Sequence, residues 1–131
     1  ATIYVLEDDE IDRNLFAEAF SQLDDRLKIA QLVFFNEGLG LIKALKDQSK
    51  RPDLLILDIN LPGISGFETL KIIRTENLIP SDLHVIILSS STLDSDHQNA
   101  KDLKANCFFK KPSSKDSWWH IARAVHQSWL N

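Results

Sequence analysis

The chain has 131 residues, 44% apolar and 26% charged, and a formal net charge of −4. That length suits one domain with its own core, and the composition is that of a soluble globular protein. The acidic balance argues against a nucleic-acid module, which carries a basic face, and no apolar stretch reaches the roughly 18 residues that span a bilayer. Thr2-Ile3-Tyr4-Val5-Leu6 is a β-branched and aromatic run, read as a strand, that stops at Glu7-Asp8-Asp9. Ile11, Leu15, Phe16, Ala19, Phe20 and Leu23 then recur at helical spacing. A second strand is expected over 28–35, with Ile29 and Val33 in it. Asn36 is the expected N-cap of a helix carrying Leu39, Ile42 and Leu45.

The third strand is the most informative segment. Leu54-Leu55-Ile56-Leu57-Asp58 ends a continuous apolar run on one carboxylate, and a Pro62-Gly63 turn follows. A short run apolar at every position reads as a central strand buried on both faces. A helix is expected from about Gly66 to Thr75, with Phe67, Leu70, Ile73 and Arg74. His84-Val85-Ile86-Ile87-Leu88 gives a fourth strand ending on Ser89. The segment from Asp94 to Leu103 is the least apolar helix candidate. Asn106 to Phe109 is a short fifth strand ending at Lys110-Lys111-Pro112, and Cys107 within it reads as a buried, inert thiol. The last helix runs from about Ser114 to Leu130, with Trp118, Ile121, Ala122, Val125 and Trp129 on one face.

Strands alternating with helices imply an α/β fold with a parallel sheet covered on both sides. Right-handed crossovers favour the doubly wound, flavodoxin-like (βα)5 arrangement with strand order 2-1-3-4-5. The expected organisation is one domain over residues 1–131 with no output domain. A single cysteine and no basic-then-apolar leader imply a reducing, cytoplasmic setting without membrane attachment. No Met is present, so residues are expected to precede Ala1.

In that order, strand one delivers Glu7 and Asp8 to the sheet's carboxyl edge, strand three Asp58, strand four Ser89 and strand five Lys111. Three converging carboxylates repel one another and call for a cation. Mg²⁺ fits, because it takes carboxylate oxygens, keeps waters and shares its shell with a phosphate. Asp58 then has the profile of a nucleophile that accepts a phosphoryl group as an acyl phosphate. Mg²⁺, Lys111 and the Ser89 hydroxyl would each neutralise one equatorial oxygen. Each residue alone is an ordinary cap, turn former or exposed lysine; their joint occurrence on four strand ends is not.

With those residues in place, the sequence resembles the receiver domain of two-component response regulators over essentially its whole length. Glu7-Asp8 resembles the family's metal-binding acidic pair, and 58–66 resembles its phosphoacceptor strand and loop. The resemblance implies that Asp58 is phosphorylated and that the backbone carbonyl of Asn60 is a further Mg²⁺ ligand. It also implies that Ser89 and Phe108 are the switch residues and that Lys111-Pro112 is the family's Lys-Pro, commonly joined by a cis bond. Asp102 to Phe108 and the closing Trp129-Leu130 are similar to small stand-alone regulators that serve phytochrome-type histidine kinases. The implied function is a phosphorelay switch, not an enzyme in its own right, that takes its phosphoryl group from kinase phosphohistidine. Phosphorylation would remodel the face formed by the fourth helix, fifth strand and fifth helix. Trp119, Leu130 and Phe109 are candidates for an apolar patch that pairs two copies or docks a kinase. The rival reading is an aspartate-nucleophile phosphatase. Such enzymes want an acid/base Asp two residues after the nucleophile, where this chain has Asn60. The kinase, its input signal, the downstream target, the phosphate lifetime and the oligomeric state are not legible in the sequence.

Overall fold

A computed structural model describes residues 1–23 and 31–130, with the side chain of Leu130 outside the described set. Among the described residues, five strands, β1 (Thr2–Leu6), β2 (Gln31–Phe35), β3 (Leu54–Leu57), β4 (His84–Ser89) and β5 (Cys107–Lys110), alternate with five helices. The helices are α1 (Glu10–Ser21), α2 (Gly38–Lys46), α3 (Gly66–Thr75), α4 (Asp94–Asp102) and α5 (Lys115–Leu130). All described strand pairs are parallel, in the order β2-β1-β3-β4-β5. The doubly wound arrangement expected from the sequence is therefore the one observed. The expected start of the second strand, including Lys28 and Ile29, falls outside the described residues.

Strand side chains alternate between faces, and the two cores follow that period of two. Ile3, Val5, Leu54, Ile56, Ile86 and Leu88 face a layer containing Phe16, Phe20, Trp118, Ala122 and Val125 from α1 and α5. Their neighbours Tyr4, Leu6, Leu55, Leu57, Val85 and Ile87 face Leu41, Leu45, Leu70 and Ile73 of α2 and α3. Every residue of β3 is buried, which is why this strand shows no apolar-polar alternation. Phe16 meets Trp118 edge-on, with ring centroids 6.3 Å apart, so α1 and α5 share an aromatic contact. Cys107 is half-buried against the same layer.

Three sequence expectations need correction. Asn36 does not cap α2; Glu37 occupies the N-cap position and makes no side-chain capping bond. Ile11 and Leu39, assigned to apolar stripes, are 69% and 60% exposed. Both lie in the first turn of a helix, next to the carboxyl edge of the sheet. The Lys111–Pro112 bond is not cis, since the described chain contains no cis peptide. One signal went unread: Ser65 and Glu68 form a capping box at the start of α3, which stops the loop after β3 at a fixed point.

That stop is tight. Gly66 N–H donates to Ile59 C=O at 2.8 Å, and a Cβ at Gly66 would sit 1.9 Å from the Asp58 carbonyl oxygen. Gly66→Ala is expected to destabilise the fold by about 1–3 kcal/mol through overpacking against backbone, read as a lowered urea midpoint with an unchanged m value.

Candidate functional site

Register brings the acidic residues together. Leu6 is the partner of Leu57 across β1 and β3, so Glu7 and Asp58 follow side by side. Glu7 N–H donates to Phe35 C=O and Asp58 N–H to Leu6 C=O, each at 3.0 Å, extending the ladder past the strand ends. Both side chains are buried, at 5% and 6% exposure, whereas Asp8 is exposed. One carboxylate oxygen from each of Glu7, Asp8 and Asp58 lies within 4.8 Å of the others. Three hard oxygen donors at that spacing suit a hard divalent cation, not a soft metal.

Lys111 joins this cluster from the other side. β5 ends at Lys110, which is in register with Ser89, and Lys111 N–H donates to Ser89 C=O at 2.9 Å. Its Nζ contacts Glu7 Oε1 at 2.5 Å, Asp58 Oδ2 at 2.9 Å and Asp12 Oδ2 at 2.9 Å. Asp12, in the first turn of α1, was not singled out in the sequence. Its signal was its place three residues after the N-cap Asp9, in the first turn of α1. Each buried carboxylate is also tied by its second oxygen. Glu7 Oε2 accepts from Asp9 N–H at 3.2 Å, and Asp58 Oδ1 accepts from Ile59 N–H at 2.7 Å. Arg13 Nε donates to the Glu7 carbonyl at 2.6 Å, which fixes the backbone of the acidic turn.

Ser89 is fully buried at the end of β4, and its Oγ accepts a long bond from Ser91 N–H at 3.4 Å. Ser91 in turn hydrogen-bonds Asp96, tying the loop to the first turn of α4. Asn60 lies exposed, two residues past Asp58. Phe108 is half-buried beneath the ring of His97 on α4, centroids 3.9 Å apart and planes 25° from parallel. That cover was not anticipated.

Two of the three candidate patch residues, Trp119 and Phe109, have described side chains. Trp119 lines a groove with Leu15, Glu18, Ala19 and Gln22 of α1, under the Arg123 guanidinium at 5.5 Å. Phe109 packs into the α1/α5 layer. Leu130 has no described side chain.

The electrostatics follow from burial. The Glu7 carboxyl is raised from 4.5 to about 7, mainly by desolvation and further by Asp58, against the pull of Lys111. Burial alone would lower Lys111, but its bonds to Glu7, Asp12 and Asp58 outweigh it and hold the ammonium above its ordinary value. Folding thus favours protonated Glu7. Its contribution to stability is complete below pH 4.5 and is lost as pH rises through about 7. In chelator, the metal-free protein should lose on the order of 2 kcal/mol of this contribution between pH 5 and pH 8. Urea titrations at the two pH values check this, and Glu7→Gln should flatten the difference.

The receiver-domain model of response regulators matches residues 3–123. The response regulator Rcp1 of Synechocystis is 27% identical over 135 aligned positions, covering 98% of this chain and 88% of that protein. The nitrate/nitrite response regulator NarL of Escherichia coli is 26% identical; the alignment covers 98% of this chain but only 54% of NarL. Among solved structures, the phosphorylated cyanobacterial phytochrome response regulator RcpA superposes with a TM-score of 0.86 at 27% identity, covering 99% of this chain and 94% of that one. The Mn²⁺-bound form of Rcp1 gives 0.81 at 26% identity, with coverages of 99% and 94%. These matches give no support to the phosphatase reading. The chain belongs to the response regulator receiver family, the phosphorylation-controlled signalling proteins of two-component systems.

Proposed function

We propose that Asp58 is the phosphoacceptor of this receiver. The observation that carries the reading is a buried carboxylate at the end of the central strand, 2.9 Å from the Lys111 ammonium and grouped with Glu7 and Asp8. Glu7, Asp8, Asp58 and the backbone carbonyl of Asn60 would hold Mg²⁺, which supplies charge neutralisation to the carboxylates and to one phosphoryl oxygen. Lys111 pairs with a second oxygen and the Ser89 hydroxyl with a third. In the transfer the P–N bond of a kinase phosphohistidine breaks, its electron pair staying on the imidazole, and a bond forms from an Asp58 oxygen to phosphorus. The protein therefore carries the group itself and contributes positioning and electrostatics.

The donor is a sensor histidine kinase. RcpA is a phytochrome response regulator, which supports a phytochrome-type kinase as the partner of this chain. The large exposed apolar side chains Ile11, Leu39 and Leu93 lie in, or just before, the first turns of α1, α2 and α4, at the edge of the sheet that carries Asp58. Their position suits a protein surface laid over the site. The setting is cytoplasmic, without nucleic acid or membrane as partner. No helix among the described residues is long and apolar enough to cross a membrane.

Phosphorylation would draw Ser89 Oγ from its 3.4 Å bond with Ser91 and give Phe108 room to move inward from under His97. The helix that must yield is α4, whose only buried residue is Ala100. The remodelled face of α4, β5 and α5 is the output surface, through which two copies would also pair.

Incubation with a small phosphodonor and Mg²⁺ should add one phosphoryl group, stable to acid and labile to base and hydroxylamine. Asp58→Asn should abolish it; retention of the label at the normal rate would move the acceptor elsewhere. For pairing, sedimentation with and without beryllofluoride should show a dimer favoured by the phosphate mimic. A chain that stays monomeric at high concentration in both states would remove pairing from the function.

A further inference from the structure

Lys111 has three N–H donors and spends all of them on carboxylates: Glu7, Asp12 and Asp58. In this arrangement a phosphoryl oxygen on Asp58 reaches the ammonium by displacing one of the three, and with Glu7 and Asp58 drawn to Mg²⁺ the Asp12 contact is the one left to displace. They are not equally replaceable. The Glu7 and Asp58 side chains are 7% and 8% exposed, and each is held a second time by a backbone N–H. The Asp12 side chain is 25% exposed, and Lys111 is its one partner among the described contacts. Asp12 also sits in the first turn of α1, where a carboxylate released to solvent is still favoured by the helix dipole.

We infer that Asp12 is a positioning residue that holds Lys111 in the resting state and competes with the phosphoryl group for it. This rests on Asp58 as phosphoacceptor. The competition has a direction. With Asp12 present, engagement of Lys111 by phosphate costs a charge-assisted hydrogen bond already made. It also leaves a carboxylate beside a group that brings nearly two further negative charges. Asp12 therefore opposes the phosphorylated state, and a chain without it should be easier to activate and slower to reset.

The probe is beryllofluoride binding in the presence of Mg²⁺, followed by ¹⁹F resonance. Asp12→Asn and Asp12→Ala should each bind the mimic about tenfold more tightly than wild type, the size of one charge-assisted hydrogen bond. Glu10→Gln removes an exposed carboxylate from the same helical turn, one that makes no ion pair with Lys111. Screening should keep its effect within about twofold. Unchanged or weaker binding in Asp12→Asn would overturn the inference, and so would an equal gain in Glu10→Gln, which would reduce the effect to net charge. Asp12→Asn decides the matter if Asp12→Ala folds poorly, because it keeps the volume of the side chain. Failure of the underlying reading shows separately: wild type would not bind the mimic, or Asp58→Asn would bind it equally well.

Discussion

The ammonium of Lys111 is the constraint on which the site depends. A parallel sheet gathers its strand ends along one edge, and here the first and third strands end on acids. Without a cation, burying Glu7 and Asp58 side by side would carry the cost of two desolvated, repelling charges. Lys111 offsets that cost by reaching across from β5 to Glu7, Asp58 and Asp12. The cost that remains shows at Glu7, whose carboxyl is pushed up to about 7, by burial first and by Asp58 second. The lysine thus balances the buried acids only in part.

The rest of the molecule divides into parts that hold this edge and a part that can respond to it. β1, β3 and β4 are sealed between two apolar layers, and Gly66 packs directly against the Asp58 carbonyl. α1 and α5 close one layer through Phe16 and Trp118. α4 differs in kind: Ala100 is its one buried residue, and Ser91–Asp96 and His97–Phe108 are polar or half-exposed contacts. Regions with few buried apolar contacts are those that rearrange at low cost. Because α4 touches the neighbours of Ser89 and the ring of Phe108, a change at the site has a short mechanical route to the surface.

Some residues announced themselves in the sequence because one local rule governs them. The unbroken apolar run of 54–57 could only be a strand covered on both faces, so Asp58 had to emerge at its end. Glu7, Asp8, Ser89 and Lys111 were legible for the same reason, each being the first polar residue or nearly so after an apolar strand. Helix first turns were read less well. Ile11 and Leu39 fit an apolar stripe by spacing, but spacing does not say where the sheet stops, and both stand exposed next to its carboxyl edge.

The sequence by itself determined the alternation of elements, the strand order and the chemical types on the sheet's carboxyl edge, because these follow from periodicity and from chirality rules local to each βαβ unit. Tertiary structure alone decided which side chains share a hydrogen bond. Asp12 is 99 residues from Lys111 along the chain, and only the packing of α1 beside α5 puts its carboxylate on the ammonium. The same holds for His97 over Phe108 and for Trp119, turned toward α1. Such contacts depend on the rotation of a helix about its axis and on the reach of individual rotamers, and no pattern within one segment encodes either.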